Sequence, residues 1–252
     1  MREDRIVRME SYIRNHKSVS LDKLCEVFDV SKNTVRRDIS EIVARTDIRK
    51  IYGGVSIQYN KIPPPFAERS ALNPEAKERI GRAAAELVED GDIIYIDSGT
   101  TTCRMVDYLR GRQNVTIVTH SLDVINRAAH NPDLTLMSLS GTLNRKTHSF
   151  TGQSTLAVLQ DCNISKAFMA ANGITVPNGA TQSTSIEFAI KKSVVERSDR
   201  ICLMVENRKF GAVSLLTYCP LHRIHVIVTE KEPSQDFVTA YAEMGGLLLI
   251  PN

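Results

Sequence analysis

A run of small and hydroxyl-bearing residues, "DSGTTT", follows an apolar segment at 93–96 that has the composition of a buried strand. Gly99 would let the backbone turn closely, and a helical pattern begins immediately afterwards. Backbone N–H groups and the positive end of a helix at such a place suit a phosphate. The sequence therefore predicts an anion-binding loop formed by Asp97, Ser98, Gly99, Thr100, Thr101 and Thr102. Ser and Thr also cap helices where no ligand binds, so this purely structural role stays open.

Three cationic residues farther along the chain are candidates for binding the same anion. Arg145 and Lys146 lie in "SGTLNRKTHSFTG", after the third predicted strand, and Lys209 lies in "ENRKFG", after the fifth. Ligands of open parallel sheets bind at the carboxyl ends of the strands, so these side chains can meet the loop at 97–102. With His148 they could close over the ligand, although a solvated surface loop would have a similar composition.

A different chemistry is indicated near the amino terminus, where "SKNTVRRDISEIV" has the pattern of a helix. Val35, Ile39 and Ile42 recur at spacings of four and three and would face a core. Polar and basic residues occupy the outer face near the helix start, and such residue types bond base edges or phosphate oxygens of DNA. The predicted DNA-binding residues are Ser31, Lys32, Asn33, Thr34, Arg36 and Arg37, with Arg49 and Lys50 from the segment that follows. A solvated basic face on a structural helix bundle is the alternative.

Two preceding helices are predicted to position this basic helix. Ile6, Met9 and Ile13 share one face of "EDRIVRMESYIRNH", and Ser20 is a suitable N-cap for a short helix that carries Leu24. In a helix-turn-helix, the second helix presents its basic amino end to the major groove of DNA. The alternating segment "DIRKIYGGVSI" then predicts a β-wing. We therefore expect the amino-terminal segment to be a winged helix-turn-helix.

The charge distribution agrees with this assignment. Residues 1–60 contain twelve Lys and Arg against nine Asp and Glu, which accounts for the whole formal net charge of +3. Because Lys and Arg supply most of the non-specific affinity for DNA, a basic segment beside a neutral one is typical of a DNA-binding head. The five cysteines are scattered and never spaced as C-x-x-C, and no apolar run is long enough to span a bilayer. We expect a cytoplasmic protein without a disulfide framework, zinc site or membrane segment.

The rest of the chain alternates between short apolar strands and helices. Strands are predicted at 93–96, 115–118, 134–139, 167–171, 201–205 and 224–228, and helices at 74–88, 101–109, 122–129 and 185–197. This alternation implies an α/β domain with a mainly parallel sheet covered on both faces. Three successive prolines in "NKIPPPF" mark a boundary. The predicted organisation is a winged helix-turn-helix at 1–58, a linker at 59–73 and an α/β domain at 74–252.

Several segments resemble the DeoR family of bacterial transcriptional regulators. The amino-terminal match runs through "SVSLDKLCEVFDVSKNTVRRDISEI" and "IRKIYGGV", of which "VSKNTVRRD" is the most specific piece. The match continues through "PPPFAERSALNPEAKERIG", "IDSGTTT", "VTHSL", "SGTLN" and "ENRKFG". Asp47 departs from the glycine that is usual before the wing. Glu206 and Arg208 depart from the family usage of an Asp, two residues and then the lysine that Lys209 matches.

The resemblance implies a regulator that represses a carbohydrate-utilisation operon by binding double-stranded operator DNA. It also implies a Rossmann-like second domain similar in fold to ribose-5-phosphate isomerases, with a phosphorylated sugar or related metabolite as the effector. Ligand binding would be transmitted through the linker. Heads of this type act in pairs on half-sites about one helical turn, ~34 Å, apart, so the resemblance further implies a homo-oligomer.

An enzyme of the sugar-phosphate isomerase type with a DNA-binding head is the alternative function, and a protein-interaction scaffold is a third. The isomerases carry two acidic residues at a strand end where this sequence has Met169 and Asn172, and neither side chain can accept the proton. Glu187 remains as one carboxylate and is expected to be a capping or solvated group. His222 and His225 form an H-x-x-H pair that strand geometry would place on opposite faces. We therefore predict no catalytic residues, no metal and no cofactor.

Overall fold

The computed structural model describes residues 2–16, 18–46, 48–51, 53–57 and 63–251. The chain forms two compact units, residues 1–60 and residues 61–252. Asp47, residues 59–62 of the predicted linker and the predicted domain limit at residue 58 lie outside the described residues. Within the described part of the chain, no helix is both long and apolar enough to cross a membrane.

Three helices begin the first unit, as the apolar spacing predicts: α1 (Arg2–His16), α2 (Leu21–Phe28) and α3 (Lys32–Arg45). Ser20 and Ser31 cap α2 and α3, because their hydroxyl oxygens accept hydrogen bonds from Lys23 N at 3.1 Å and Thr34 N at 3.3 Å. Each cap of this kind stabilises a helix by about 1 kcal/mol. The predicted inward faces are confirmed by one buried cluster that contains Ile6, Met9, Ile13, Leu24, Val35, Ile39 and Ile42.

An antiparallel sheet completes the first unit, with β1 (Ser18–Ser20), β2 (Ile48–Ile51) and β3 (Gly54–Ile57) in the order β1-β3-β2. Strands β2 and β3 form the predicted wing, and Gly53 occupies its turn at a φ of 75°, which glycine adopts without a steric penalty. Strand β1 is too short to show an alternating pattern and was not predicted. Gly54 permits its pairing, because a Cβ there would lie 2.4 Å from the Val19 carbonyl oxygen.

A buried carboxylate ties α1 to α3. Asp38 is fully buried, and its Oδ2 accepts a hydrogen bond from Arg5 Nε at 2.8 Å, while Arg2 Nε lies 3.5 Å from Oδ1. Asp38 directly follows Arg36 and Arg37 in the sequence. Because a buried charge needs a partner, this contact fixes the helix that carries the two arginines against α1.

Asp38→Ala should therefore destabilise the first unit. The substitution removes the acceptor of Arg5 and the tie between two helices, so we expect the midpoint of thermal unfolding of this unit to fall by about 4–8 °C. Hydrogen exchange of the α3 amides in the whole chain measures the same effect locally. Asp22→Ala is the control, because it removes an exposed partner of Lys32 and should change little. Equal losses in the two variants would contradict the role given to Asp38.

The second unit is larger. Its helices are α4 (Phe66–Ala71), α5 (Pro74–Ala85), α6 (Leu122–Ala128), α7 (Gln153–Gln160), α8 (Ser185–Glu196) and α9 (Gln235–Glu243). Its strands are β4 (Ile93–Ile96), β5 (Val115–Thr119), β6 (Leu134–Ser138), β7 (Thr142–Asn144), β8 (Ser149–Thr151), β9 (Ile164–Met169), β10 (Gly173–Thr175), β11 (Gly179–Gln182), β12 (Ser198–Met204), β13 (Leu216–Cys219), β14 (Val226–Val228) and β15 (Leu247–Leu249). Short 3₁₀ helices span Thr102–Tyr108, Asn207–Lys209 and Leu221–Arg223.

Seven of these strands form one parallel sheet in the order β15-β14-β12-β9-β4-β5-β6. The predicted mainly parallel α/β sheet is confirmed, and all six predicted strands belong to it. Strand β15, the hairpin of β7 and β8, and the small antiparallel sheet β10-β11-β13 were not predicted. Their strands are three or four residues long, which is too short for a periodic pattern to be distinguished from a loop.

The strand order reverses between β4 and β9. From β4 the chain proceeds to β5 and β6 on one side of the sheet, and from β9 it proceeds to β12, β14 and β15 on the other. Strands β4 and β9 are neighbours, with Tyr95 paired with Ala167. In open α/β sheets, ligands bind in the crevice outside the carboxyl ends of the strands at such a reversal. The residues that follow these two strands, beginning with Asp97 and Ala170, therefore border the expected crevice.

Part of the predicted linker is folded into the second unit. Phe66 begins α4 and is buried in the apolar cluster beneath α5. Lys77, fully buried on α5, donates to the carbonyl oxygens of Arg69 and Leu72 and so closes the carboxyl end of α4. The prolines obscured this helix in the sequence, because proline disfavours helix for the residue before it and yet is well tolerated where a helix begins.

Candidate functional site

The carboxylate at the end of β4 is already satisfied by the protein. Asp97 is fully buried, and its two oxygens accept hydrogen bonds from Ser98 N at 2.9 Å and Ala170 N at 2.8 Å. Lys191, on α8, forms an ion pair with Asp97 and donates to the Ala170 carbonyl oxygen at 2.8 Å. The same carbonyl oxygen accepts a hydrogen bond from the Tyr218 hydroxyl at 3.0 Å. Asp97 thus joins the ends of β4 and β9 to α8, and its predicted contact with a ligand stays a prediction.

Thr102 and Gly99 shape the loop that follows. Thr102 Oγ1 accepts a hydrogen bond from Gly99 N at 3.0 Å and donates to the Asp97 carbonyl oxygen at 2.6 Å. A Cβ at Gly99 would lie 2.6 Å from the Cβ of Ala170, so the close approach of the loop to β9 requires glycine. Thr102 thus holds the turn. The hydroxyls of Thr100 and Thr101 have no hydrogen-bond partner among the described residues and stay candidates for ligand binding.

The element after the loop differs from the predicted α-helix. Residues Thr102–Tyr108 form a 3₁₀ helix of seven residues. It packs so tightly against α5 that a Cβ at Gly81 would lie 2.8 Å from the Cβ of Arg104. A short 3₁₀ segment aligns few peptide dipoles, so the predicted attraction of an anion by a positive helix end is weak. Side chains must supply the attraction for an anion at this place.

Five cationic residues are candidates for this role, and we call them the cationic cluster. Their charges act on one another near the carboxyl end of the sheet, and they are Arg69, Lys77, Arg104, Arg208 and Lys209. Burial and the charges of Arg208, Arg69 and Lys77, opposed by the charge of Glu206, together lower the pKa of Lys209 to about 8. The Lys209 ammonium donates to the Ala171 carbonyl oxygen at 2.9 Å, two residues after the end of β9. An anion bound here would relieve the mutual repulsion of these groups.

Arg69 connects the cationic cluster with the buried carboxylates. Burial lowers its pKa, and the negative charges of Glu187 and Asp97 oppose that decrease. Its Nε donates to the Pro64 carbonyl oxygen at 3.0 Å, and its guanidinium lies 5.6 Å from the centroid of the Phe66 ring. Its two Nη groups have no acceptor within the described part of the chain. They are therefore available to a phosphate, which arginine binds with two parallel hydrogen bonds.

Glu206 orients Arg208. It stands where the sequence analysis expects an Asp. The carboxylate is almost fully buried and accepts hydrogen bonds from Arg208 Nε and Nη2, each at 3.0 Å, and from Asn73 Nδ2 at 3.0 Å. Burial would raise the pKa of Glu206, but the hydrogen bond from Arg208 and the charge of Lys209 hold it below its usual value. Glu206 therefore stays ionised and holds Arg208 by a bidentate contact.

A second polar group surrounds Glu187, on α8. The carboxylate is 3% exposed; its Oε1 accepts a hydrogen bond from Ser149 Oγ at 2.6 Å, and its Oε2 lies 3.3 Å from Ser98 Oγ and 3.4 Å from His120 Nε2. Burial would raise its pKa, but the interactions with His120, Lys191 and Ser149 lower it to about 2. Glu187 is thus a buried, ionised hydrogen-bond acceptor, and the prediction of a capping or solvated group is wrong.

The predicted ligand-binding residues Arg145 and Lys146 do not lie with Lys209 in the cationic cluster. Arg145 and Lys146 are exposed in the turn between β7 and β8, and the Lys146 carbonyl oxygen accepts a hydrogen bond from Phe66 N at 2.8 Å. His148 Nδ1 lies 3.0 Å from an Asp123 carboxylate oxygen, so its ring is held on the protein and not directed at an anion. No described contact joins the charged ends of Arg145 and Lys146 to the cationic cluster.

The histidines and carboxylates of the second unit do not favour a metal site. Asp97, His120 and Glu187 offer three ligand atoms within 4.8 Å of one another, but an ion on all three would displace the Lys191 ammonium from Asp97. His222 lies in the 3₁₀ helix Leu221–Arg223 and not in a strand, so that prediction is wrong. His225 Nδ1 accepts a hydrogen bond from Ile201 N at 3.0 Å, and burial lowers its pKa. That no metal binds stays a prediction.

Some of the predicted DNA-binding side chains are held by contacts within the first unit, and others are exposed without such contacts. Ser31 caps α3, and Lys32 Nζ lies 2.5 Å from Asp22 Oδ1. Arg49 Nη1 donates to the Thr46 carbonyl oxygen at 2.9 Å, which satisfies the carboxyl end of α3, and Lys50 Nζ donates to Ser40 Oγ at 2.8 Å. Thr34 is half-buried beside Ser31. Asn33, Arg36 and Arg37 are exposed, and among the described residues no contact holds their side chains.

Comparison with known proteins agrees with both halves of this description. Residues 5–61 match the DeoR-like helix-turn-helix domain, and residues 72–231 match the DeoR C terminal sensor domain. The chain belongs to the DeoR family. The two matches confirm the architecture predicted from the sequence, which is a DNA-binding winged helix followed by a sensor domain. It is a DNA-binding transcriptional regulator.

Named relatives of this DeoR-family chain are regulators as well. The HTH-type transcriptional regulator IolR of Bacillus subtilis (strain 168) is 44% identical over 237 residues, 94% of each chain. The glycerol-3-phosphate regulon repressor of Escherichia coli (strain K12) is 27% identical over 215 residues, 85% of each chain. Among solved structures, a D-ribose-5-phosphate isomerase in complex with phospho-erythronic acid is 20% identical, covers 54% of each chain and has a TM-score of 0.41.

Several residues of the candidate site were not identified from the sequence. Arg69 lies in the predicted linker, where the prolines obscure the short helix α4, and Lys77 lies in the predicted helix at 74–88, where an isolated lysine carries no signal of burial. Lys191 lies four residues after Glu187 in a predicted helix, so the two share a face, and that spacing could have placed the Lys191 charge near Glu187. His120 and Ser149 carried no signal beyond their positions near strand ends, because their partner Glu187 is distant in sequence.

Proposed function

We propose that this regulator represses a carbohydrate-utilisation operon and that a phosphorylated sugar releases it from double-stranded operator DNA. The cationic cluster carries the proposal, because it gathers positive charge at the reversal of strand order, beside an ionised carboxylate that can accept hydrogen bonds from hydroxyls. Residues 1–58 would bind the operator, and residues 74–252 together with Arg69 would bind the effector. The chain would act in the cytoplasm as a homo-oligomer whose paired heads meet half-sites ~34 Å apart.

The two polar groups suit the two ends of such an effector. Arg69 and Lys209 would bind the phosphate, since a guanidinium and an ammonium match its charge. The hydroxyls of Thr100 and Thr101 line the loop before the 3₁₀ helix and would add contacts. Glu187 Oε2, held only by contacts of 3.3 Å and 3.4 Å, would accept a hydrogen bond from a sugar hydroxyl. A neutral sugar would lack the contacts with Arg69 and Lys209. Inorganic phosphate would lack the hydrogen bond to Glu187.

Thermal unfolding with a panel of glucose 6-phosphate, fructose 6-phosphate and ribose 5-phosphate, each beside its unphosphorylated sugar, tests the effector class. We expect at least one phosphate ester to raise the unfolding midpoint, because a ligand that binds only the folded state stabilises it. Arg69→Gln should abolish the increase. Arg110→Gln, an exposed arginine in the turn before β5, should preserve it. An increase that survives Arg69→Gln would contradict the proposed phosphate contact.

Operator binding should depend on Arg36 and Arg37. Their exposed guanidinium groups lie near the start of α3, so Arg36→Ala and Arg37→Ala should each weaken binding to the upstream region of the operon by about 1–3 kcal/mol or lower the salt dependence by about one ion. Electrophoretic mobility shifts at several salt concentrations measure both quantities. Lys23→Ala, on the exposed face of α2, is the control. Unchanged binding in both arginine variants would contradict the assignment of α3 as the recognition helix.

The isomerase alternative is disfavoured by the same geometry. A carboxylate with a pKa of about 2 is a weak base at neutral pH, and Met169 and Asn172 occupy the predicted places of the acidic pair. The chain would therefore bind a sugar phosphate without converting it. Incubation of the purified protein with ribose 5-phosphate or fructose 6-phosphate should yield no isomer. Isomer formation that Glu187→Gln abolishes would establish an enzymatic function.

A further inference from the structure

One residue of the cationic cluster also holds the point where the chain enters the second unit. Arg69 Nε donates to the carbonyl oxygen of Pro64, in the middle of the three prolines, and its guanidinium lies 5.6 Å from the Phe66 ring centroid. Phe66 is 3% exposed. The side chain proposed to bind a phosphate is thus the side chain that fixes the prolines against the sensor domain. A phosphate bound at the two Nη groups would therefore act on the same guanidinium that holds Pro64.

The hairpin of β7 and β8 holds Phe66 from another side. The rings of Phe66 and His148 are stacked, with centroids 4.7 Å apart and planes inclined by 8°. Phe66 N donates to the Lys146 carbonyl oxygen at 2.8 Å. His148 has a φ of 53°, in the left-handed region, and its ring is oriented by Asp123. This arrangement is specific, because a residue other than glycine takes that conformation only at a cost that its contacts must offset.

The same hairpin also contacts Glu187. Ser149 Oγ donates to Glu187 Oε1 at 2.6 Å, and Phe150 N donates to the His120 carbonyl oxygen at 2.8 Å. Ser149 directly follows His148, so the hydrogen bond to Glu187 and the stack on Phe66 originate from adjacent residues. A ligand hydroxyl that binds Glu187 would change the environment of Ser149 and hence the position of His148.

We propose that Phe66, Arg69 and the hairpin of residues 142–151 form a latch that transmits effector binding to the proline segment. The latch rests on the proposed function, since it needs a ligand at the cationic cluster and Glu187. Without ligand, Arg69 and His148 hold Pro64 and Phe66 in one position. A bound sugar phosphate draws Arg69 toward the phosphate and displaces the hairpin through Glu187, which releases Phe66 and the prolines. The effector then binds the released arrangement more tightly than the latched one, and that difference in affinity is what shifts the equilibrium.

Two substitutions weaken the latch and keep every side chain that is proposed to contact the ligand. Phe66→Leu keeps an apolar side chain in the cluster but removes the ring that stacks on His148. His148→Asn keeps a residue type that tolerates the left-handed conformation and can hydrogen-bond to Asp123, but it removes the second ring. Phe237→Leu is the matched control, because Phe237 is similarly buried at 5% exposure and lies on α9, where it contacts Phe210.

The test measures ligand binding and operator release separately, with an equimolar mixture of glucose 6-phosphate, fructose 6-phosphate and ribose 5-phosphate as the probe. Wild type, both variants and the control should all be stabilised by the mixture in thermal unfolding. The mixture should weaken operator binding of wild type and Phe237→Leu by the same factor, within the five- to 150-fold range that is typical of such coupling. In Phe66→Leu and His148→Asn we expect that factor to fall below about twofold.

The outcomes separate the two proposals. Variants that are stabilised by the mixture and still release operator DNA as wild type does would overturn the latch and leave the proposed function intact. A wild type that is not stabilised by the mixture would overturn the proposed function, and the latch with it. Loss of operator release in Phe237→Leu as well would show a general effect of core substitution, and would also overturn the latch.

Discussion

Lys191→Met should lower the free energy of unfolding of the second unit by about 3–5 kcal/mol, which is the usual effect of removing one partner of a buried ion pair. Asp97 is fully buried and Lys191 nearly so, at 5% side-chain exposure. Without the ammonium, the carboxylate would keep only the N–H groups of Ser98 and Ala170. The Ala170 carbonyl oxygen would also lose a donor. Because typical domains are stable by only about 5–15 kcal/mol, the variant should be close to unfolding at ordinary temperature.

Urea unfolding of the whole chain measures this loss, with Lys192→Met as the exposed control on the same helix. The double variant Asp97→Asn with Lys191→Met should regain much of the stability, because it removes both charges and leaves no uncompensated carboxylate. Equal stability of Lys191→Met and Lys192→Met would show that the ion pair does not hold the ends of β4 and β9 against α8.

Binding of a sugar phosphate should weaken as the pH rises through about 8, the pKa of Lys209 in the free protein. Burial and the neighbouring cations lower that pKa, and a bound phosphate, which is a dianion above its second pKa of about 6, would raise it again. The protonated form binds the anion, so the gain in affinity is complete well below pH 8 and is lost above it. The decrease should approach about tenfold per pH unit, as expected for the uptake of one proton.

Lys209→Met should weaken binding by about tenfold to a hundredfold at pH 7, because a hydrogen bond to a charged group contributes about 1.5–3 kcal/mol. Lys209→Arg is the informative partner, since arginine stays protonated and should show no pH dependence between pH 7 and 9. Isothermal titration calorimetry of a panel sugar phosphate in two buffers with different ionisation enthalpies counts the protons taken up. A wild-type affinity that is constant from pH 7 to 9 would place the phosphate away from Lys209.

Local signals in the sequence predicted most of the framework. The caps Ser20 and Ser31 and the buried face of α3 could be predicted because capping and helical periodicity involve residues within a few positions of one another. The strands of the central sheet were predicted because strands buried on both faces are almost continuously apolar. The 3₁₀ helix Thr102–Tyr108 was predicted as an α-helix. Its close packing against α5 at Gly81 is a tertiary contact, which sequence periodicity does not indicate.

By itself the sequence determined the winged helix, the parallel α/β domain, the basic recognition helix and the membership of the DeoR family, all of which depend on residues close together in the chain. Only the tertiary structure decided the roles of the polar side chains at the carboxyl end of the sheet. Asp97 is held by Lys191, which lies 94 residues away, and Glu187 is held by Ser149, 38 residues away. Whether a carboxylate is a ligand or a structural partner depends on which charges and donors the fold brings within hydrogen-bonding distance. Spacing along the chain does not encode that distance.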